Sequence, residues 1–197
     1  MDYNKMKEGI TTFLQGCFGE NILYDPNFEE TPDRIVRAYY EFLNDGKNID
    51  KEVAAILKKK FPSKYNSMIC TNWIETVSLC PHHLLPVQYR IAIAYLQKPS
   101  YKTSDGETFF LGASKLARLA TVLSKRAVLQ EELTHDIYWH ITEALNPSGV
   151  AIIIDGVHGC MSCRGINTNA TYKTSKLTGA FLRDTKVRSE FFELLKI

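Results

Sequence analysis

The segment "PVQYRIAIAYLQ", residues 86–97, constrains this chain more than any other stretch. Val87, Tyr89, Ile91, Ile93 and Tyr95 fall on alternate positions, a period of two that puts them on one side of a β-strand and on no single side of a helix. A strand with one apolar row must bury that row against a second layer. The preceding "SMICTNWIETVSL" has the β-branched and aromatic content of a partner strand. Between the two lies "SLCPHHLLP", a thiol, a proline and two adjacent imidazoles at the point where the chain must reverse.

Before residue 67 the period is that of helices. "EETPDRIVRAYYEFLNDG" predicts a helix with Thr31 as N-cap, Pro32 at the first helical position, Gly46 past the end and Ile35, Tyr39, Phe42 and Leu43 as its buried stripe. Ile10, Phe13, Leu14 and Cys17 predict a shorter amphipathic helix ending near Gly19, and "DKEVAAILKKKF" a third, whose Lys58-Lys59-Lys60 run reads as a solvated helix end. After the polar loop "KPSYKTSDGET", residues 115–145 read as helical with a break near Arg126, and Leu129, Leu133, Ile137, Ile141 and Leu145 recur every four residues as core. "SGVAIIIDGVHGC" reads as a buried strand, "NATYKTSKLTGAF" as another, and "TKVRSEFFELLKI" as a closing helix with Val187, Phe191, Leu194 and Leu195 inward. Helices, two strands, long helices, two strands and a helix make an α+β order with a mainly antiparallel sheet.

Charge narrows the functional classes. With 24 Lys+Arg against 22 Asp+Glu the chain lacks the basic excess of a nucleic-acid binder, so any basic cluster is expected to be local and to face a small anion. The polar start "MDYNKMKEGI" and the lack of a long apolar run predict a soluble cytoplasmic protein with no membrane partner. Five cysteines is an odd count, and Cys80, Cys160 and Cys163 sit among histidines, which favours metal binding or catalysis over a disulfide framework.

The second cluster, "DGVHGCMSCRG", follows some seventy residues after the first. On an extended strand His158 and Cys160 would point to the same side, and a turn would let Cys80 and His83 converge. Two thiols and up to three imidazoles are donors that suit zinc. A structural zinc takes four protein ligands, whereas a catalytic one takes three and keeps a position open. Cys80, His83 and Cys160 are candidates for those three, leaving His82 and His158 free for proton transfer. Spacing alone leaves a closed structural zinc and unrelated buried Cys and His as alternatives. Cys163 reads equally as a fourth ligand or a small packing residue.

The motifs "TPDR", "SLCPHHLLP", "LGASKLAR", "VLQEELT" and "VHGCMSCRG", in this order and spacing, resemble the GTP cyclohydrolase I family from about Thr31 to the C-terminus. The resemblance implies a T-fold: an antiparallel sheet with long helices packed on one face, preceded by an N-terminal helical region over residues 1–66 and forming the catalytic domain over 67–197. It implies a homo-oligomer, usually a decamer, with active sites at subunit interfaces. It implies zinc held by Cys80, His83 and Cys160, and His82 and His158 as catalytic imidazoles. Gln130 and Glu131 resemble the family's guanine-binding pair, a carboxylate being able to accept from both N1–H and the 2-amino group. Ser114, Lys115, Arg118 and Arg164 resemble its triphosphate contacts, with Arg34 reaching in from a neighbouring subunit. The implied reaction is hydrolysis of the guanine imidazole ring of GTP to 7,8-dihydroneopterin triphosphate and formate, with no organic cofactor.

The chain departs from the family pattern at Pro81, where C-E-H-H is usual, at Ala113 in "GASK" where leucine is usual, and at Cys163. Other readings keep the fold. One is a related enzyme acting on another guanine-derived substrate or serving 7-deazaguanine synthesis. Another is a noncatalytic purine- or pterin-binding regulator.

Overall fold

The computed structural model describes residues 1–98 and 108–196, so most of the polar loop expected over 98–108 lies outside the described residues. The chain divides into two compact units, Met1–Asn48 and Ile49–Ile197. The first is built on α1 (Tyr3–Phe18) and α2 (Thr31–Phe42). The Asp2 carboxylate caps α1 by accepting from the Lys5 amide, and Gly19, at φ 100°, ends it in a conformation open to glycine. Tyr3 and Lys7 both reach Asp33, at 2.8 and 2.7 Å, and tie the two helices together.

Two sequence expectations change in this unit. Glu30 rather than Thr31 precedes α2, because the Thr31 hydroxyl donates back to the Asn27 carbonyl and is spent there. Val36 is the fully buried apolar residue, while Ile35, Tyr39, Phe42 and Leu43 are half-buried and Phe13 is 66% exposed. Two helices make too thin a layer to enclose a whole stripe.

The second unit holds α3 (Ile49–Lys58), β1 (Phe61–Ser63), β2 (Ile69–Leu79), β3 (Pro86–Leu96), β4 (Thr108–Phe110), α4 (Ala113–Ser124), α5 (Gln130–Leu145), β5 (Gly149–His158), α6 (Gly159–Ser162), β6 (Tyr172–Leu177), α7 (Ala180–Arg183) and α8 (Thr185–Leu194). β2, β3, β5 and β6 lie in that order in one antiparallel sheet, and β1 pairs with β4 in a small second one. The small pair had no alternating signal to announce it, being three residues a side.

The predicted row of β3 is the centre of the core: Val87, Tyr89, Ile91, Ile93 and Tyr95 are buried beneath Leu116, Leu119 and Leu123 of α4 and Leu133, Ile137 and Ile141 of α5. The long helices therefore share one face of the sheet, as the α+β order requires. Part of the other face is covered too, since Ala92, Ala94 and Ala151 are small enough to admit the rings of Phe181 on α7 and Phe191 on α8. Leu194, expected inward, is 37% exposed, because Phe191 and Leu195 take the inward positions of α8. The rest of that face carries a cross-strand row of alternating sign, Glu75, Arg90, Asp155 and Lys173, each opposite the next. Such pairs contribute about 0.2–1 kcal/mol each.

β2 carries a bulge between Thr71 and Ile74 with Trp73 at φ 46°, and this extra residue sharpens the twist of the strand. Among the described residues no helix is long and apolar enough to cross a membrane.

Candidate active site

The sheet brings the two clusters together because β3 pairs with both β2 and β5. Leu79 lies opposite Pro86, and Val87 lies opposite His158, so the end of β2 and the end of β5 flank the start of β3. The turn after β2 is closed by the Cys80 amide donating to the Leu85 carbonyl at 2.9 Å and by the Leu84 amide donating to the Cys80 carbonyl at 2.8 Å. Those bonds fold His83 back onto its neighbour, with Cys80 Sγ 3.6 Å from His83 Nδ1. Cys80 is buried and Cys160 half-buried, and one ligand atom from each of Cys80, His83 and Cys160 lies within 4.8 Å of the others. These three residues could hold a metal ion.

One step of the sequence reasoning is corrected. His158 ends β5, but Cys160 stands in the helical turn α6 and not on an extended strand. The chain turns inward at Gly159, where a Cβ would come within 2.9 Å of the Pro86 carbonyl oxygen. Only glycine allows that approach, and the turn sends the Cys160 thiol toward Cys80 rather than along the strand. Cys163 is exposed, with its thiol donating to the Gly159 carbonyl at 2.8 Å, and it stands outside the group of three.

A cavity of about 210 Å³ opens beside the cluster, lined among others by Cys80, His82, Glu131, His158, Cys160 and Tyr172. A larger groove of about 530 Å³ lies over Glu75, Arg90 and Asp155, and it carries neither thiol nor imidazole. The chemistry therefore belongs to the smaller one. His82 is exposed at its rim, with its Nδ1 4.0 Å from Cys80 Sγ.

His158 is held far more tightly. Its Nε2 meets Gln130 Oε1 at 2.9 Å. Gln130 is 1% exposed, and its Nε2 faces the carbonyls of Ile154 and Tyr172 at 3.0 and 2.9 Å. Those carbonyls only accept, so the amide nitrogen must point at them and Oε1 must receive the proton of His158 Nε2. The proton-free nitrogen of the neutral ring is then Nδ1. Burial lowers the pKa of His158, against an opposing pull from Glu131, which favours that neutral form at neutral pH.

Gly156 makes room for this contact. A Cβ there would lie 2.3 Å from Gln130 Oε1 and 3.0 Å from the Tyr89 ring. Gly156→Ala is expected to break the Gln130–His158 bond, to destabilise the fold by about 1–3 kcal/mol through overpacking, and to lower kcat, as thermal melting and steady-state rates will register.

Glu131 lies at the start of α5 with its Oε1 accepting from the Tyr172 hydroxyl at 2.6 Å, and this bond above all lowers its pKa. The position of α5 is fixed from outside the helix: the Val128 amide donates to the Leu79 carbonyl at 3.3 Å and Ser78 Oγ donates to the Arg126 carbonyl at 2.8 Å. The break between α4 and α5 thus runs beside the end of β2 and delivers Gln130 and Glu131 next to the Cys80 turn. The rings of Tyr89 and Tyr172 both meet His158 edge-on, with centroids 6.1 and 5.7 Å away. Neither tyrosine was legible as a site residue, since both contacts depend on strand pairings absent from the local sequence.

The candidate triphosphate residues are dispersed. Arg164 is exposed, and its charge opposes the rise that burial and the neighbouring Cys80 thiol impose on the Cys160 pKa. Ser114 and Arg118 are exposed on α4, Arg118 beside the α3 groove that also includes Ile56. The Lys115 ammonium donates to the Ile56 carbonyl. Arg34, in the first unit, pairs with Glu30 at 2.8 Å. None of Ser114, Lys115 or Arg118 lines the cavity at the thiols.

The GTP cyclohydrolase I family profile matches residues 6–196 of this sequence. The chain belongs to the GTP cyclohydrolase I family. It is 38% identical over 196 residues to GTP cyclohydrolase 1 of Campylobacter jejuni subsp. doylei, covering 97% of this chain and 94% of that one. It is equally 38% identical over 200 residues to GTP cyclohydrolase 1 of Aquifex aeolicus, covering 100% of this chain and 98% of that one. A solved structure, the archaeosine synthase QueF-Like in the apo form, overlaps 57% of this chain at 16% identity and a TM-score of 0.37, too loosely to carry an argument. As a member of the GTP cyclohydrolase I family the chain is a hydrolase, and GTP is the substrate that membership implies.

Proposed function

We propose that this chain hydrolyses the guanine imidazole ring of GTP at a zinc site held by Cys80, His83 and Cys160, giving 7,8-dihydroneopterin triphosphate and formate. The observation that carries the reading is the convergence of those three ligand atoms within 4.8 Å beside a cavity that Glu131 and two spare imidazoles also line. Two thiolates and one imidazole suit zinc, and three protein ligands leave it a position open to solvent or substrate. Zinc bound there would supply Lewis-acid activation of the water that attacks the base.

The chain's own residues do the rest. Glu131 orients the base, its carboxylate accepting from N1–H and the 2-amino group of guanine. His158 accepts a proton at Nδ1, because Gln130 pins the proton of Nε2, and a base that is neutral near pH 7 is suited to that transfer. His82, exposed at the rim of the cavity, returns a proton to the ring nitrogen that departs when the C8–N bond breaks. Hydrolysis of the resulting formamide releases formate, and the ribose carbons then rearrange and condense onto the freed amine with loss of one water to close the pterin ring. Gln130 thus acts in this account through its hold on His158, its own polar atoms being already engaged.

The triphosphate lies toward Arg164, whose guanidinium offers paired donors to phosphate oxygens. Ser114, Lys115, Arg118 and Arg34 complete its binding from neighbouring subunits of a homo-oligomer, in the reading a decamer. The absence of Ser114, Lys115 and Arg118 from the lining of the thiol cavity within one chain supports a site shared between subunits. Residues 67–197 are the catalytic domain of the account, and the protein works in the cytoplasm.

Incubation of zinc-loaded protein with GTP is expected to release formate in step with a pterin that fluoresces after oxidation and dephosphorylation. Binding of GTP with neither product would overturn the catalytic reading and leave a binding subunit.

A further inference from the structure

Tyr172 is the first residue of β6, the edge strand, and stands opposite Gly156 on β5. It meets three polar members of the site with three different parts of itself. Its carbonyl accepts from Gln130 Nε2 at 2.9 Å, its ring meets His158 edge-on at 5.7 Å and 87°, and its hydroxyl donates to Glu131 Oε1 at 2.6 Å. At 41% exposed it is no core residue, and it lines the cavity beside the thiols.

We infer that Tyr172 is a positioning residue that fixes the carboxylate of Glu131 for guanine recognition and links it to the imidazole of His158. The inference rests on the assignment of Glu131 as the guanine-reading group. A glutamate at the solvent-facing start of a helix turns about three side-chain bonds, and an unrestrained one loses that freedom when a base arrives. Here one oxygen is already tethered. A carboxylate oxygen accepts more than one hydrogen bond, so the tethered carboxylate keeps lone pairs for the N1–H and 2-amino donors. The phenol ring, meanwhile, stands edge-on to His158 at 5.7 Å, as the Tyr89 ring does at 6.1 Å, and restricts the swing of the imidazole. The tether acts before substrate binds, and its benefit is felt as affinity for the base, whereas the ring contact is felt in the proton-transfer step.

The test separates the hydroxyl from the ring. Steady-state GTP turnover of the zinc-loaded protein is compared for Tyr172→Phe, Tyr172→Leu and Glu131→Gln, with inosine triphosphate, which lacks the 2-amino group, as competing ligand. Tyr172→Phe keeps the ring and is expected to raise KM for GTP about 3- to 10-fold, the cost of ordering one free side chain, with a much smaller change in kcat. It is expected also to narrow the preference for GTP over inosine triphosphate. Tyr172→Leu is expected to lower kcat as well, by about 10-fold or more, while its thermal midpoint stays close to that of the parent. If Glu131→Gln loses the preference while Tyr172→Phe retains both it and the parent KM, the tether is refuted and Glu131 keeps its role. If Glu131→Gln itself retains the preference, the role of Glu131 fails and the inference falls with it.

Discussion

Alanine at Cys160 is expected to remove zinc and formate release together. Cys160 reaches the other two donors because the chain turns into α6 at Gly159. An imidazole and one thiolate would remain, too few for a stable zinc site of either kind. Loss of the ion's contribution to charge stabilisation is expected to lower turnover by about three orders of magnitude or more. Cys80→Ala and His83→Ala belong to the same experiment and should behave alike. Zinc content by elemental analysis and formate by coupled assay check the pair of effects. A chelator lowers the thermal midpoint of the parent, since a ligand that binds only the folded state stabilises it, and has no effect on Cys160→Ala. Zinc-dependent turnover retained in all three variants would remove the site from the account.

His158→Ala is expected to leave the zinc in place and to lower kcat about 10²- to 10⁴-fold, the range for loss of a positioned proton-transfer group. The size of the effect follows from how completely the ring is fixed. Gln130 holds Nε2, the Tyr89 and Tyr172 rings meet the imidazole edge-on, and burial lowers its pKa against the pull of Glu131. A base so restrained can be offered at one nitrogen only, and no other imidazole stands where it does. His82, exposed at the rim with a long 4.0 Å contact to Cys80 Sγ in place of the Gln130 bond, is expected to be more readily replaced by solvent, so His82→Ala should cost less than His158→Ala. Zinc content equal to the parent in both variants distinguishes loss of proton transfer from loss of the ion.

Much of this was legible before any coordinates. The alternation of Val87 to Tyr95 gave the strand and its buried face, and the four-residue recurrence from Leu133 to Ile141 gave the helix laid on it. Cys80, His83 and Cys160 were legible as a candidate metal group because thiols and imidazoles are rare enough, and their chemistry narrow enough, for two clusters to suggest one ion, and the fold brings their ligand atoms within 4.8 Å. What escaped is what depends on pairing between distant strands. Tyr172 meets His158 only because β6 lies beside β5, and Gly156 matters only because Gln130 comes through the space a Cβ would fill. The helical turn at Cys160 was masked by the run of β-branched residues before it, which reads as strand until Gly159 ends it. The exposed Phe13 and Leu194 show the opposite limit, an apolar periodicity wider than the surface available to cover it.

The central claim is tested most directly by X-ray absorption at the zinc edge, followed by anomalous difference maps on crystals of the zinc-loaded protein. One ion per chain is expected, with two sulfurs at about 2.3 Å and one imidazole nitrogen at about 2.0 Å, from Cys80, Cys160 and His83, and a lighter non-protein atom in the remaining position. A fourth protein ligand closing the coordination sphere, or an ion bound elsewhere with the two sulfurs apart, would contradict it.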